Sequence, residues 1–162
     1  MAFDAFLNLD GIKGESLDDK HKDQIEVDSY GFSLTQSGRG VGTAGGHATG
    51  RVDFGDFYVS KALDAASPNL YLACANGTVH KSAILTLCRA GGDKLEYMKI
   101  ELKDVMVKSV QPSGNGQGDV PTETVNFAYG WMGWTYTQQD PTTGKAKGNV
   151  AAAWDLKANK KA

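Results

Sequence analysis

The sequence predicts a mainly β fold: a compact β-barrel of two curved antiparallel sheets with one short flanking α-helix. Apolar residues alternate with polar ones over many short runs, which puts them on one face of an extended chain; a helix would scatter them around a cylinder. Twenty glycines in 162 residues punctuate those runs with turns. Several runs also change parity partway, as a strand does when it bends to serve two walls of a strongly curved sheet. A flat sandwich is the competing architecture.

Taken in order, Ala5, Leu7 and Leu9 form one face of a first strand, with Phe6 turned outward or toward a neighbour, and Asp10 and Gly11 end it. Residues 15–23 are densely charged and read as a solvated connection. Ile25 and Val27 open the next strand, and Tyr30, Phe32 and Leu34 continue it on the opposite parity. Residues 38–50 hold six glycines and cannot build a core; they read as a glycine-rich arm reaching a partner subunit, or as a surface loop. Val52, Phe54, Phe57 and Val59 supply another strand, broken in phase at Gly55. The single convincing helix follows, capped by Ser67, with Pro68 in its first turn and Asn76 and Gly77 as a left-handed stop. Ala83, Leu85 and Leu87 resume the strand pattern.

The densest alternation lies in residues 95–136. Met98, Ile100 and Leu102 give way to Val105 and Val107, which predicts a β-bulge near Lys103 and Asp104. Residues 112–118 read as a mobile hairpin loop. Beyond it Val125, Phe127, Tyr129 and Trp131 share one parity and Trp134 and Tyr136 the other, so a second bulge or sharp bend is expected around Met132 and Gly133. A turn spans 139–148, and 151–156 form the last strand, anchored by Trp154.

The chain reads as a single domain, 1–162, with a short basic tail at Lys157, Lys160 and Lys161, and is large enough to bury roughly 70% of its unfolded surface. A net charge of -2 leaves no footprint for nucleic acid. The longest apolar run, 70–75, is far short of the ~20 residues a bilayer needs, so no membrane insertion is expected. Residues 1–10 lack a basic leader and place Asp4 in their apolar stretch, so the chain is expected to be made in the cytoplasm without a cleavable signal. Cys74 and Cys88, set in apolar segments, read as buried free thiols.

Catalytic chemistry finds little support. His21, His47 and His80 stand at no metal-ligand spacing, and neither a metal nor a cofactor is expected. Asp53 and Asp56 would project to opposite faces of a strand. Gly40, Gly42 and Gly45 fit G-x-G-x-x-G, but no helix follows to meet a pyrophosphate, and His47 stands where a phosphate-binding loop needs Lys.

In order and spacing, several segments resemble the haemolysin-coregulated proteins of the bacterial type VI secretion system. They are Gly11, Ile12, Lys13, Gly14, Glu15 and Ser16; Ser67, Pro68, Asn69 and Leu70 with Ala73, Cys74 and Ala75; Leu95, Glu96 and Tyr97; Glu123, Val125, Asn126 and Phe127; Tyr136, Thr137 and Gln139; and Trp154, Asp155, Leu156, Lys157 and Asn159. The resemblance implies a barrel assembled as a homohexamer, in stacked rings that form the inner tube of the secretion apparatus. It also implies contact with sheath and spike proteins, carriage of effector proteins in the lumen, export, and no enzyme activity. Composition and resemblance together make Arg39, Val41, Thr43, His47 and Thr49 the candidate ring contacts. The face bearing Lys99, Glu101 and Lys103 lines a lumen or meets solvent. The alternative function is a monomeric small-ligand-binding β-barrel.

Overall fold

The longest strand sets the architecture. In the computed structural model, which describes residues 2–38 and 50–162, the strands are β1 (Phe3–Leu9), β2 (Ile25–Val27), β3 (Ser29–Gly31), β4 (Leu34–Gln36), β5 (Val52–Phe54) and β6 (Phe57–Ala62). After helix α1 (Ser67–Asn76) come β7 (Val79–Arg89), β8 (Glu96–Ser113), β9 (Thr122–Ala128), β10 (Trp131–Gln139), β11 (Ala146–Asp155) and β12 (Lys160–Lys161). The first half of β8 pairs with β7 and β10, and its second half with β9. One strand therefore belongs to two limbs of sheet, as the parity change in its sequence implies.

The fold is mainly β with one helix, but the expected barrel is not closed. Ten strands make one curved antiparallel sheet in the order β12-β11-β10-β8-β7-β1-β2, with β9, β6 and β3 branching from β8. β2 pairs with β1 and β3 with β6, and the two are separate strands with Asp28 between them, whose amide donates to the Ser60 carbonyl at 2.8 Å. β4 and β5 form a second, two-stranded sheet.

The bend in β8 is not the expected bulge. His80 faces Val105 and Ser82 faces Lys103 in unbroken register, so no residue is inserted at Lys103 and Asp104. Asp104 instead takes φ 53°, the left-handed region, which turns β8 so that Ile100 and Leu102 before it and Val105 and Val107 after it all reach the core. The inserted residues lie elsewhere. Leu87 faces Met98 but Cys88 faces Glu96, leaving Tyr97 bulged; Val107 faces Phe127 but Ser109 faces Asn126, leaving Lys108 bulged. The second long run divides at Tyr129 and Gly130, earlier than Met132 and Gly133. Met132 is therefore buried while Trp131 lies on the outer face, its indole over Gly133, where a Cβ would stand 2.4 Å from the ring.

Between the limbs sit Leu7, Ile25, Phe57, Leu85, Ile100, Leu102, Val105, Phe127 and Met132, each 1% exposed or less. α1 buries Leu70 and Ala73 against this core. Gly77 ends the helix at φ 66° and Pro68 lies in its first turn. The N-cap residue is Ala66 with no side-chain cap; Ser67 is the first helical residue and turns its hydroxyl inward.

Candidate assembly surface

Beneath α1 the Ser67 hydroxyl donates to Glu123 Oε1 at 2.5 Å and accepts from Lys61 Nζ at 3.2 Å. Lys61 Nζ lies 2.8 Å from Asp64 Oδ1 and 3.6 Å from Glu123 Oε1, and Tyr71 donates to the same Glu123 oxygen at 3.3 Å. Lys61 and Glu123 are fully buried. Burial first, and then the Glu123 charge, push the Tyr71 phenol above its ordinary range, so it serves as a donor. One lysine between two carboxylates thus fixes α1 to β6 and β9. In β6, Phe57, Val59 and Lys61 share one face, so the period-two pattern itself puts Lys61 on the core side.

The charged connection is exposed at Glu15, Leu17, Asp19, Lys20, Lys22 and Asp23, as the sequence suggests, but it is pinned to the body at two points. Ser16 and His21 are buried, and the His21 ring stacks on Phe6 with centroids 4.5 Å apart, so Phe6 is covered rather than turned outward. His21 Nε2 meets Glu96 Oε1 at 3.2 Å and Cys88 Sγ at 3.5 Å, and Asp18 is ion-paired with Lys94, which holds its carboxyl below the usual range. Burial pushes the Cys88 thiol up to about 11. At neutral pH it is a thiol, and this grouping lacks the thiolate a nucleophilic cysteine requires. Among the described residues no cluster of three or more His, Cys, Asp or Glu side chains is arranged to hold a metal ion.

The surface that lacks cover is on the other edge of the sheet. In β11, residues 146–152 are exposed on both faces, Val150 at 69%, and only Trp154 and Asp155 pair onward to β12. Beside it an apolar groove of about 440 Å³ runs between Leu34, Val52 and Phe54 of the β4–β5 ribbon and Trp134, Ala152 and Trp154. A strand bare on both faces with an unpaired edge is the surface that soluble chains cover by association.

The family model described as "Type VI secretion system effector, Hcp" matches residues 6–136. Protein hcp1 of Pseudomonas aeruginosa is 35% identical over 160 residues, 98% of each chain. The chain belongs to the Hcp family of type VI secretion proteins. Among solved structures, "Structure of a type six secretion system protein" superposes with a TM-score of 0.93 at 36% identity, covering 99% of this chain and all of that one. Hcp1 from Salmonella typhimurium follows at 0.84 and 36%, covering both chains completely.

In this Hcp chain the arm's candidate contacts, Arg39, Val41, Thr43, His47 and Thr49, lie outside the described residues. The arm's base is described: Ser37 Oγ donates to the Arg51 carbonyl at 3.1 Å, and Leu34, Thr35 and Gln36 pair with Phe54, Asp53 and Val52. The ribbon at the arm's base therefore lines the apolar groove with Leu34, Gln36, Val52 and Phe54. Lys99, Glu101 and Trp131 share the outer face of the sheet with Ile84, Gly133, Thr135, Ala151 and Ala153, around a groove of about 280 Å³. Lys103 Nζ sits 4.1 Å from the Trp131 ring centroid on that face. Sequence reasoning named Glu123 only as part of a motif and did not single out Lys61 or Arg89, although strand period puts Lys61 in phase with Phe57 and Val59 and Glu123 in phase with Val125 and Phe127.

Proposed function

We propose that this chain is the repeating subunit of the type VI secretion tube, closing into hexameric rings that stack and enclose effector proteins, and that it leaves the cell with the tube. The observation that carries this reading is β11, a long strand exposed on both faces beside an apolar groove, in a chain of the Hcp family. A heterologous interface that closes on itself covers such an edge in every subunit at once. The arm at 38–50 extends from the same region and is proposed to lie across the neighbouring subunit, with contacts from Arg39, Val41, Thr43, His47 and Thr49; sheath, spike and effector proteins are the proposed partners of the assembled tube. The small-ligand alternative has less support, because Phe57, Phe127, Val105 and Met132 fill the space between the limbs.

The test is the solution mass by light scattering, with electron microscopy of the same sample. Six-fold rings are expected, and removal of residues 39–49 is expected to lower their population at fixed concentration while the folded subunit persists. A monomer at every concentration, in the presence of purified sheath protein as well, refutes the reading.

A further inference from the structure

The two sides of the main sheet carry opposite charge at one level. Its strand order begins at β12 and β11 and runs out at β2. A single row of partners crosses it: Val27 faces Ala5, Ala5 faces Leu87, Leu87 faces Met98, Met98 faces Tyr136 and Tyr136 faces Val150. One step from that row, toward the Arg89 end of β7, lie Asp4 and Asp28; in the same direction from Val150 lie Lys147 and Lys145.

On the β2 side, Ala5, Ile25 and Val27 turn to the core, which leaves Asp4 and Glu26 facing outward, with Asp28 exposed after them. They line a groove of about 520 Å³ together with Asp18 and Lys94, which pair with each other, and with the apolar side chains of Phe3 and Leu17, the latter 92% exposed. Asp4, Glu26 and Asp28 have no ion-pair partner among the described residues. On the β11 side, Gln138 faces Gly148 but Gln139 faces Ala146, so Lys147 is bulged, and a bulge re-aims the side chain it carries. Lys145 and Lys147 are exposed, and they too lack an ion-pair partner among the described residues.

We propose that the β10–β11 hairpin of one copy docks into the β1–β2 groove of the next, with the strands running along the ring axis and Lys145 and Lys147 set against Asp4, Glu26 and Asp28. In a closed ring each copy is carried into the next by rotation alone, so its two sides meet at the same height, and the shared register supplies that match. The charges also give the contact a direction. Hairpin to groove attracts, while hairpin to hairpin and groove to groove repel, which favours a head-to-tail ring over a back-to-back pair. Val150 next to the lysines, and Phe3 and Leu17 in the groove, are the exposed apolar surface that such a contact covers. The inference rests on the ring reading above and adds to it which two sides meet and the charges that select them.

The experiment uses two full-length double variants, Lys145→Glu with Lys147→Glu in the hairpin and Glu26→Lys with Asp28→Lys in the groove, each checked for folding by circular dichroism. All four positions are exposed, so both variants are expected to fold. By light scattering each alone is expected to need at least about tenfold more protein than wild type for half-assembly, because like charges then face each other at every contact. An equal mixture is expected to recover wild-type assembly, since around an alternating ring an acidic hairpin meets a basic groove and a basic hairpin an acidic one. Either variant assembling alone as wild type does overturns the proposal and leaves Lys145 and Lys147 the role of keeping an open edge from pairing. A mixture of folded variants that assembles no better than its parts overturns it too. Wild-type assembly is also expected to weaken as sodium chloride is raised, and assembly indifferent to salt counts against the contact without any variant. If wild type forms no rings, the tube reading fails and the mixture still decides the contact: with the hairpin variant ¹⁵N-labelled, the groove variant should move the amide resonances of residues 26–28 and 145–149, and unmoved resonances overturn it.

Discussion

Replacing Lys61 with Met removes the one cation from a buried site that holds two carboxylates. In the folded chain Lys61 Nζ is 2.8 Å from Asp64 Oδ1 and 3.6 Å from Glu123 Oε1, and Lys61 and Glu123 have no exposed side-chain surface. Met fills nearly the same volume, so packing changes little and the effect is electrostatic. Glu123 left buried without its cation, beside the partly exposed Asp64, costs about 3–5 kcal/mol, the range for breaking a buried pair by removing one partner. Against a total stability of roughly 5–15 kcal/mol this is a large fraction. For a chain of this size it lowers Tm by roughly 10 °C. Glu123→Gln is the milder comparison: its side-chain carbonyl still accepts from Ser67 and Tyr71, and Lys61 keeps Asp64, so the loss is about 1–2 kcal/mol. Urea unfolding of both variants and wild type, at one concentration below assembly, measures the order. A Lys61→Met cost under about 1 kcal/mol, or one no larger than that of Glu123→Gln, would refute the argument that these charges are desolvated and mutually dependent.

Three other expectations follow from separate parts of the structure. Gly14→Ala should cost about 1–3 kcal/mol and speed amide exchange across 12–24, because its Cβ would stand 2.4 Å from the Gln24 carbonyl oxygen and 2.8 Å from Ile25 Cα, backbone that cannot step aside; a neutral substitution would mean that this segment is loosely held. Burial, and next the charge of Glu96, raise the Cys88 thiol from 9.0 to about 11 in the folded chain. The folded state therefore keeps this proton longer than the unfolded one, and stability present below pH 9 is lost between pH 9 and about 11, by up to roughly 2–3 kcal/mol. Urea unfolding across that window should show a slope that Cys88→Ala reduces; an identical slope in the variant would contradict it. Val150→Glu should change monomer stability by no more than about 0.5 kcal/mol, since the side chain is 69% exposed, while reducing ring formation in light scattering; rings at wild-type concentration would remove β11 from the interface.

Much of the fold is legible in the chain because its signals are local. The alternation through Leu85 and Leu87, Ile100 and Leu102, and Val125 and Phe127 identified core faces that the structure buries. The left-handed stop at Gly77 and the change of face in β8 follow from residue chemistry and period. The segment 11–16 shows why its residues read as a motif: Gly11 has φ 86°, Gly14 lies against the backbone of residues 24 and 25, and Ser16 is buried. The errors arise where one segment covers another. Residues 15–23 look solvated by charge and are mostly exposed, yet His21 and Phe6 bury each other, and Asp18 pairs with Lys94 and Glu96 with His21 across the fold.

The sequence by itself determined the class of structure, the single helix and the family, since turn chemistry, strand period and the order of short motifs are written along the chain. Only the tertiary structure decided that the curved sheet stays open between β2 and β3, that Asp104 bends β8 without an inserted residue, and that Trp131 lies outside. It alone brought Lys61 to Glu123, 62 positions away, and left the Nε of Arg89, beside Tyr97, without a hydrogen-bond acceptor among the described residues. The physical reason is the range of the interactions. Backbone preference and periodicity act over a few residues, whereas the burial and pairing of charge depend on which distant segments close over them.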